Sequence, residues 1–426
     1  MQKVLLLGFA KEETRSGYLG KLLTSEAQKK NSNVNETLKT LATAAQINKD
    51  TSPEVLTDVM RAMMQFDVQG DDTIGYRVKV RSEAQGVQSA RFDAFVVKDQ
   101  GQYRLRAFGD GLSELGQQAF AFLKKNQKKA AETWLKWASE NVSSPGGDNP
   151  LRTIAWLRIW KSGKGDVELA AAALCANACG TEGTNLLEAA RAKATDGAAE
   201  ELEQALAVHY FAQEEPRKLL EVSDRLLKSY PKSLVARRWK RAAFWGLKDY
   251  SGLKLHATKE LDVARDDELG EVYRSISDAD AALGNVKEAR ATLGKLIELG
   301  RADAQAYGNY AWYDLVLGSV SDRTLEYASR AVQMTEFKTA NLLHTLAAVY
   351  VELGKTEEAK QTFDKLLEAR PDETPTSVDF YVIGRLAESY ALVSVAQKAY
   401  QRVTKPKEDG PTSTYRLAQA QLRRLK

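Results

Sequence analysis

Apolar residues between Ala340 and Pro371 recur at the spacing of two helices. Leu343, Leu346, Ala347 and Tyr350 form one stripe, and Ala359, Phe363, Leu366 and Leu367 form a second. Gly354 between them suits the residue just past a helix, where left-handed backbone is cheap only for glycine. Thr356 can cap the second helix, with Glu357 and Glu358 beside the positive end of its dipole. Pro371 disfavours helix at the residue before it and ends the unit. The pattern predicts a helical hairpin, with small residues at 347 and 359 where the helices approach and Tyr350 and Phe363 filling the space beside them.

The same hairpin recurs along the chain. Small residues mark the first helix of successive copies at Ala207, Ala243, Ser277, Ala311, Ala347 and Ala387, spaced 36, 34, 34, 36 and 40 residues apart. Gly284 and Gly318 stand where Gly354 does, and Pro231 ends one copy as Pro371 ends another. The longest spacing is explained by a polar insertion, Asp372 to Ser377. The last pair spans 378–392 and 395–403, and a final helix over 413–425 ends in Arg423, Arg424 and Lys426, which suits a solvated cap.

Upstream the pattern changes. Leu115, Ala119 and Phe122, then Ala131, Leu135 and Ala138 with Trp134 and Trp137, predict a first hairpin over 112–140. A loop follows at 143–150, then helices at 151–161, 166–177 and 183–194, an odd number that does not pair evenly. Residues 1–110 predict three helices, Glu12–Lys29, Val34–Ala45 and Pro53–Met64. Three strands follow, Ile74–Ser82, Ala90–Lys98 and Tyr103–Phe108, with turns at Asp71-Asp72 and Asp99–Gln102. In the first strand Tyr76, Val78 and Val80 alternate with Arg77, Lys79 and Arg81, which predicts one buried and one wet face.

The 340–371 hairpin resembles the tetratricopeptide repeat. That family's positions for a large apolar residue, a small one, an aromatic, Gly, Ala, an aromatic and Pro fall on Leu346, Ala347, Tyr350, Gly354, Ala359, Phe363 and Pro371. The repeats are degenerate, as in many large bacterial proteins, and the likeness covers mainly 200–403. It implies a mainly α fold: a tetratricopeptide-like α-solenoid of helix-turn-helix repeats over 111–426, irregular at 141–195, with a capping helix at 413–425. A small α+β unit with an antiparallel β-meander occupies 1–110.

Composition adds little chemistry. The formal charge of +4 over 426 residues implies no global nucleic-acid field. The three histidines, His209, His256 and His344, fall in three different copies, and no HExxH, GxxxxGK[ST] or GxSxG occurs. Ser113, in a superficially nucleophile-like run, reads as a helix start. Cys175 and Cys179 sit four apart on an Ala-rich helix with no further Cys or His near; a disulfide there would strain a helix, so they read as small core residues. Neither catalytic residues, a metal site nor a cofactor is expected. No apolar run reaches the roughly 18 residues of a membrane span. The start MQKVLLLGFAKEETR is short for a signal peptide. The expectation is a cytoplasmic protein, or a periplasmic or secreted one if the chain is a fragment of a longer exported protein.

The resemblance implies that first helices line a concave groove for a protein or peptide partner. Asn309 is the first candidate, because Asn at the equivalent place in peptide-binding members bonds the ligand backbone. Trp312 stands beside it. The next copy offers Asn341 and His344 with Thr345, and the previous copy Arg274 with Ser275 and Asp278. Arg237 and Arg241, with Arg238 and Lys240 around Trp239, form a basic cluster able to receive an acidic peptide or phosphate. The repeated Lys/Asn/Arg set of peptide-clamp members is missing, which removes the chaperone-tail role. The expected function is a non-enzymatic interaction scaffold. The alternative is a recruiting or regulatory region of a larger enzyme whose catalytic part lies upstream of Met1.

Overall fold

The computed structural model describes residues 64–82, 91–99, 101–108, 111–141, 156–160, 166–175, 179–194, 196–370 and 374–425. The helices expected at 12–29 and 34–45, the helix at 53–64 except its last residue, and the loop at 143–150 lie outside them. The chain forms two compact units, Met1–Trp239 and Lys240–Lys426.

The first unit contains a four-stranded antiparallel sheet, β1 (Met64–Asp71), β2 (Gly75–Ser82), β3 (Arg91–Asp99) and β4 (Gln102–Phe108), in that order. The meander has one strand more than the three expected. β1 reads MQFDVQGD, and its Phe66 and Val68 are both exposed, so these two side chains do not announce a strand by burial. Its turn into β2 is closed by Asp71, whose Oδ1 accepts from the Thr73 and Ile74 amides at 2.8 and 3.0 Å.

The sheet corrects the expected wet face at Arg77, while Lys79 is partly exposed and Arg81 exposed. Arg77 lies opposite Phe95, and Phe95 packs against Trp134 and Trp137. Arg77 is therefore buried, paired with Asp93 and Glu140. Alternation alone had no means of showing that a helical hairpin covers this side. That hairpin is α1 (Leu112–Lys124) and α2 (Lys128–Asn141). The Trp134 indole N–H donates to the Ile74 carbonyl at 2.6 Å, fixing sheet to hairpin.

Helices α3 (Val167–Cys175), α4 (Gly180–Arg191), α5 (Asp196–Ala212) and α6 (Pro216–Ser229) follow. α1 and α3 meet backbone to backbone: a Cβ at Gly116 would stand 2.6 Å from the Cys175 nitrogen, so only glycine fits. Ser113 donates to the Cys175 carbonyl here, a structural role. The structure joins Cys175 and Cys179 as a disulfide, with Cα atoms 5.8 Å apart. This corrects the reading of two separate core thiols. Cys175 is the last residue of α3, and Cys179 stands just ahead of α4. His209 is buried between Ala172 O and Thr184, a core histidine.

α7 (Leu234–Gly246) carries the division between the units. The second unit continues with α8 (Tyr250–Glu260) and the pairs α9 (Leu269–Ala282) with α10 (Val286–Glu298), α11 (Ala304–Leu317) with α12 (Asp322–Met334), and α13 (Ala340–Glu352) with α14 (Thr356–Glu368). α15 (Phe380–Ser389) pairs with α16 (Val393–Gln401), and α17 (Thr414–Arg424) comes last. Every one of the six small marker residues is buried, five of them completely. Glu214, Gly284, Gly318 and Gly354 each stand seven residues beyond a marker, and all four have positive φ. The hairpin repeat is thus real at both its close contact and its turn. Among the described residues no helix is long and apolar enough to cross a membrane.

Candidate partner-binding face

The candidate face is that of the first helices of the second unit: α9, α11, α13 and α15. Their apolar stripes turn to the second helices, where Tyr307, Tyr310 and Tyr327 make edge contacts within one buried cluster. What remains for the opposite side is polar. Asn309 and Gln305, one turn apart on α11, are partly exposed, and the Gln305 side-chain N–H donates to Asn309 Oδ1 at 2.7 Å. Asn341 on α13 is exposed.

On α9, Arg274 pairs with Asp303, the residue that also caps α11 by accepting from the Ala306 amide at 2.9 Å. Asp278, one turn on, is partly exposed. Burial pushes its carboxyl up to about 6 against the opposing charge of Arg274.

Trp312 and His344 come together, ring centroids 5.6 Å apart, across α11 and α13. His344 is buried, with Nε2 3.2 Å from the Val378 carbonyl. Burial lowers its pKa, while Asp379 and the Val378 contact act the other way. It therefore anchors the Ser377–Asp379 turn ahead of α15 rather than facing a partner. Asp379 is itself buried. Desolvation raises its pKa, but Arg370 and the bonds from Thr376 outweigh this and hold it low.

The basic cluster is likewise internal at two of its members. Arg241 is buried and paired with Glu260 and with Glu271, the latter at 3.2 Å. Arg237, in the first unit, is buried. Neither presents a free guanidinium to an acidic ligand. Among the described residues no group of three or more His, Cys, Asp or Glu side chains stands together to hold a metal.

Sequence reasoning missed what touches Trp312. Its indole N–H donates at 2.9 Å to the carbonyl of Thr412, in the segment between α16 and α17. That segment makes two more contacts in the unit. Glu408 pairs with Lys248 at 2.9 Å, and a Cβ at Gly284 would stand 3.7 Å from Pro411 Cγ. α17 then packs on α15 and α16. Ala418 is fully buried, and Tyr415, Leu422 and Leu425 pack beside it against the unit's cluster. Arg424 pairs with Glu388 on α15, and Gln397 on α16 donates to the Leu425 carbonyl at 3.0 Å. The spacing 415, 418, 422, 425 was visible as an amphipathic stripe; the helix it covers was not.

The profile of the tetratricopeptide repeat family matches residues 340–373. No curated protein matches the sequence. Among solved structures, a tetratricopeptide repeat protein from Parabacteroides merdae ATCC 43184 is 14% identical. The likeness covers 74% of this chain and 99% of that one at a TM-score of 0.38. The APC/C hetero-tetramer Cut9–Hcn1 is 13% identical over 68% of this chain and 65% of that one, at 0.37. The human IFIT1 dimer with PPP-AAAA is 15% identical over 70% and 69%, at 0.36. At these TM-scores none of the three bears on the partner of this chain. Residues 340–373 match that family's repeat, and the hairpins marked by Ala207, Ser277 and Ala311 repeat its close contact and its turn.

Proposed function

We propose that this tetratricopeptide repeat protein is a non-enzymatic interaction scaffold that receives a protein or peptide partner on the first-helix face of its second unit. One observation supports this above the others: Trp312, partly exposed on that face, donates a hydrogen bond to a backbone carbonyl of a non-helical segment. A side chain placed to bond peptide backbone is what recognition of an extended chain requires, since backbone bonds supply affinity without demanding a particular sequence. Asn309, Asn341, Arg274 and Asp278 supply the polar surroundings. Of these, Arg274 and Asp278 put both charge signs within one helical turn, which favours a partner with a mixed rather than uniform charge pattern.

The test is a photo-crosslinking amino acid placed singly at 309, 341 and 360 in the full chain. Lys360 is exposed on α14, a second helix. Adducts to one partner from 309 and 341 and none from 360 are expected; adducts from 360 alone defeat the assignment of the face. The double variant Arg274→Ala with Asn309→Ala is expected to weaken that partner by roughly fivefold or more, the loss of about one net hydrogen bond, with unchanged helicity by circular dichroism.

A further inference from the structure

We infer that residues 404–425 are a built-in occupant of this binding face, and that the partner carries an amphipathic helix of the same design which must displace them. Two contacts place the leading segment against the unit, Lys248 to Glu408 in the turn after α7 and Trp312 to Thr412 on α11, and Pro411 lies beside the turn at Gly284. The residues between Thr404 and Glu408 are exposed, and none of residues 404–413 is helical. Asp409 closes the entry to α17, accepting from Ser413 Oγ at 2.5 Å and from Arg416 Nε at 3.2 Å.

α17 then offers one small residue and three larger apolar ones on a single side, the pattern of a helix laid into a groove. Its last turn is basic, and the chain's own acidic side chain, Glu388 on α15, receives Arg424. Little of this docking is deep. Ala418 is the one buried residue of the helix, whereas α13 buries nine. The ion pair at Lys248 is exposed on both sides, at 60% and 65%, and pairs of that kind contribute little. An occupant so lightly held exchanges with a competitor of the same form. The chemistry it specifies is an extended segment of mixed charge with Gly-Pro, as in Lys405, Lys407, Glu408 and Asp409 here, then a helix with Tyr, Ala, Leu and Leu at i, i+3, i+7 and i+10, ending in arginine.

The inference rests on the proposed binding face, and its test needs no outside partner. A fluorescent synthetic peptide spanning 404–425 is titrated with the full chain, either wild type or carrying Ala418→Arg with Leu422→Asp to release its own helix. If the face is self-occupied in about nine molecules of ten, wild type captures the peptide about tenfold more weakly than the released variant. Adding Glu388→Arg to the released variant is expected to abolish capture, and Arg424→Glu in the peptide to restore it. Equal capture by both chains, or none by a folded released variant, overturns the inference while leaving crosslinking at 309 and 341 to stand or fall alone. Should the released variant lose helicity, hydrogen exchange on wild type decides. Amides of α17 exchanging ahead of α15 and α16 support a displaceable occupant. Amides of α17 exchanging only together with theirs identify a permanent part of the fold.

Discussion

Asp278 shows how a single residue ties stability to pH. Its carboxyl titrates at about 6 in the folded protein because burial disfavours the charge, with Arg274 opposing. An unfolded aspartate titrates near ~3.9. The folded state therefore holds the proton more tightly. The stability this group contributes is complete below about pH 4 and is lost as pH rises through about 6. Asp278→Asn is expected to leave thermal unfolding nearly unchanged at pH 4 and to stabilise the protein at pH 7.5 by on the order of 1–3 kcal/mol. A melting-temperature difference independent of pH would mean that burial does not set this proton. The same residue scale explains why half of the candidates changed meaning. Asn309 and Asn341 keep some exposure. His344 and Arg241 also lie on first helices, but their partners, Val378 and Glu260, come from other elements, and no local pattern reveals a partner that sequence spacing hides.

At the scale of the element, the hairpin was legible because its two constraints are local. A small residue at the close contact and a left-handed residue at the turn recur together, and both were found in place. Ala347 is completely buried where α13 meets α14. Ala347→Leu is expected to overpack that contact and destabilise by about 1–3 kcal/mol, read by denaturant unfolding; no change would mean that the helices can part there freely. The sheet was less legible for the opposite reason. Phe66 and Val68 of β1 are exposed and do not mark a strand, and Arg77 becomes interior only because Trp134 and Trp137 arrive from α2.

At the scale of the molecule, a repeat array is held by nearest-neighbour contacts and can begin folding at any hairpin. The Trp312–Thr412 hydrogen bond is of another kind, joining residues 100 apart. Closing so long a span is entropically unfavourable until the hairpins between have formed. In refolding, pulsed hydrogen exchange is expected to protect α11–α16 before α17; simultaneous protection would place α17 in the folding nucleus. During synthesis the order follows from the direction of translation. The first-helix face of a nascent chain is complete before residues 404–425 emerge, so each new molecule passes through an interval in which the proposed face carries no competitor from its own chain.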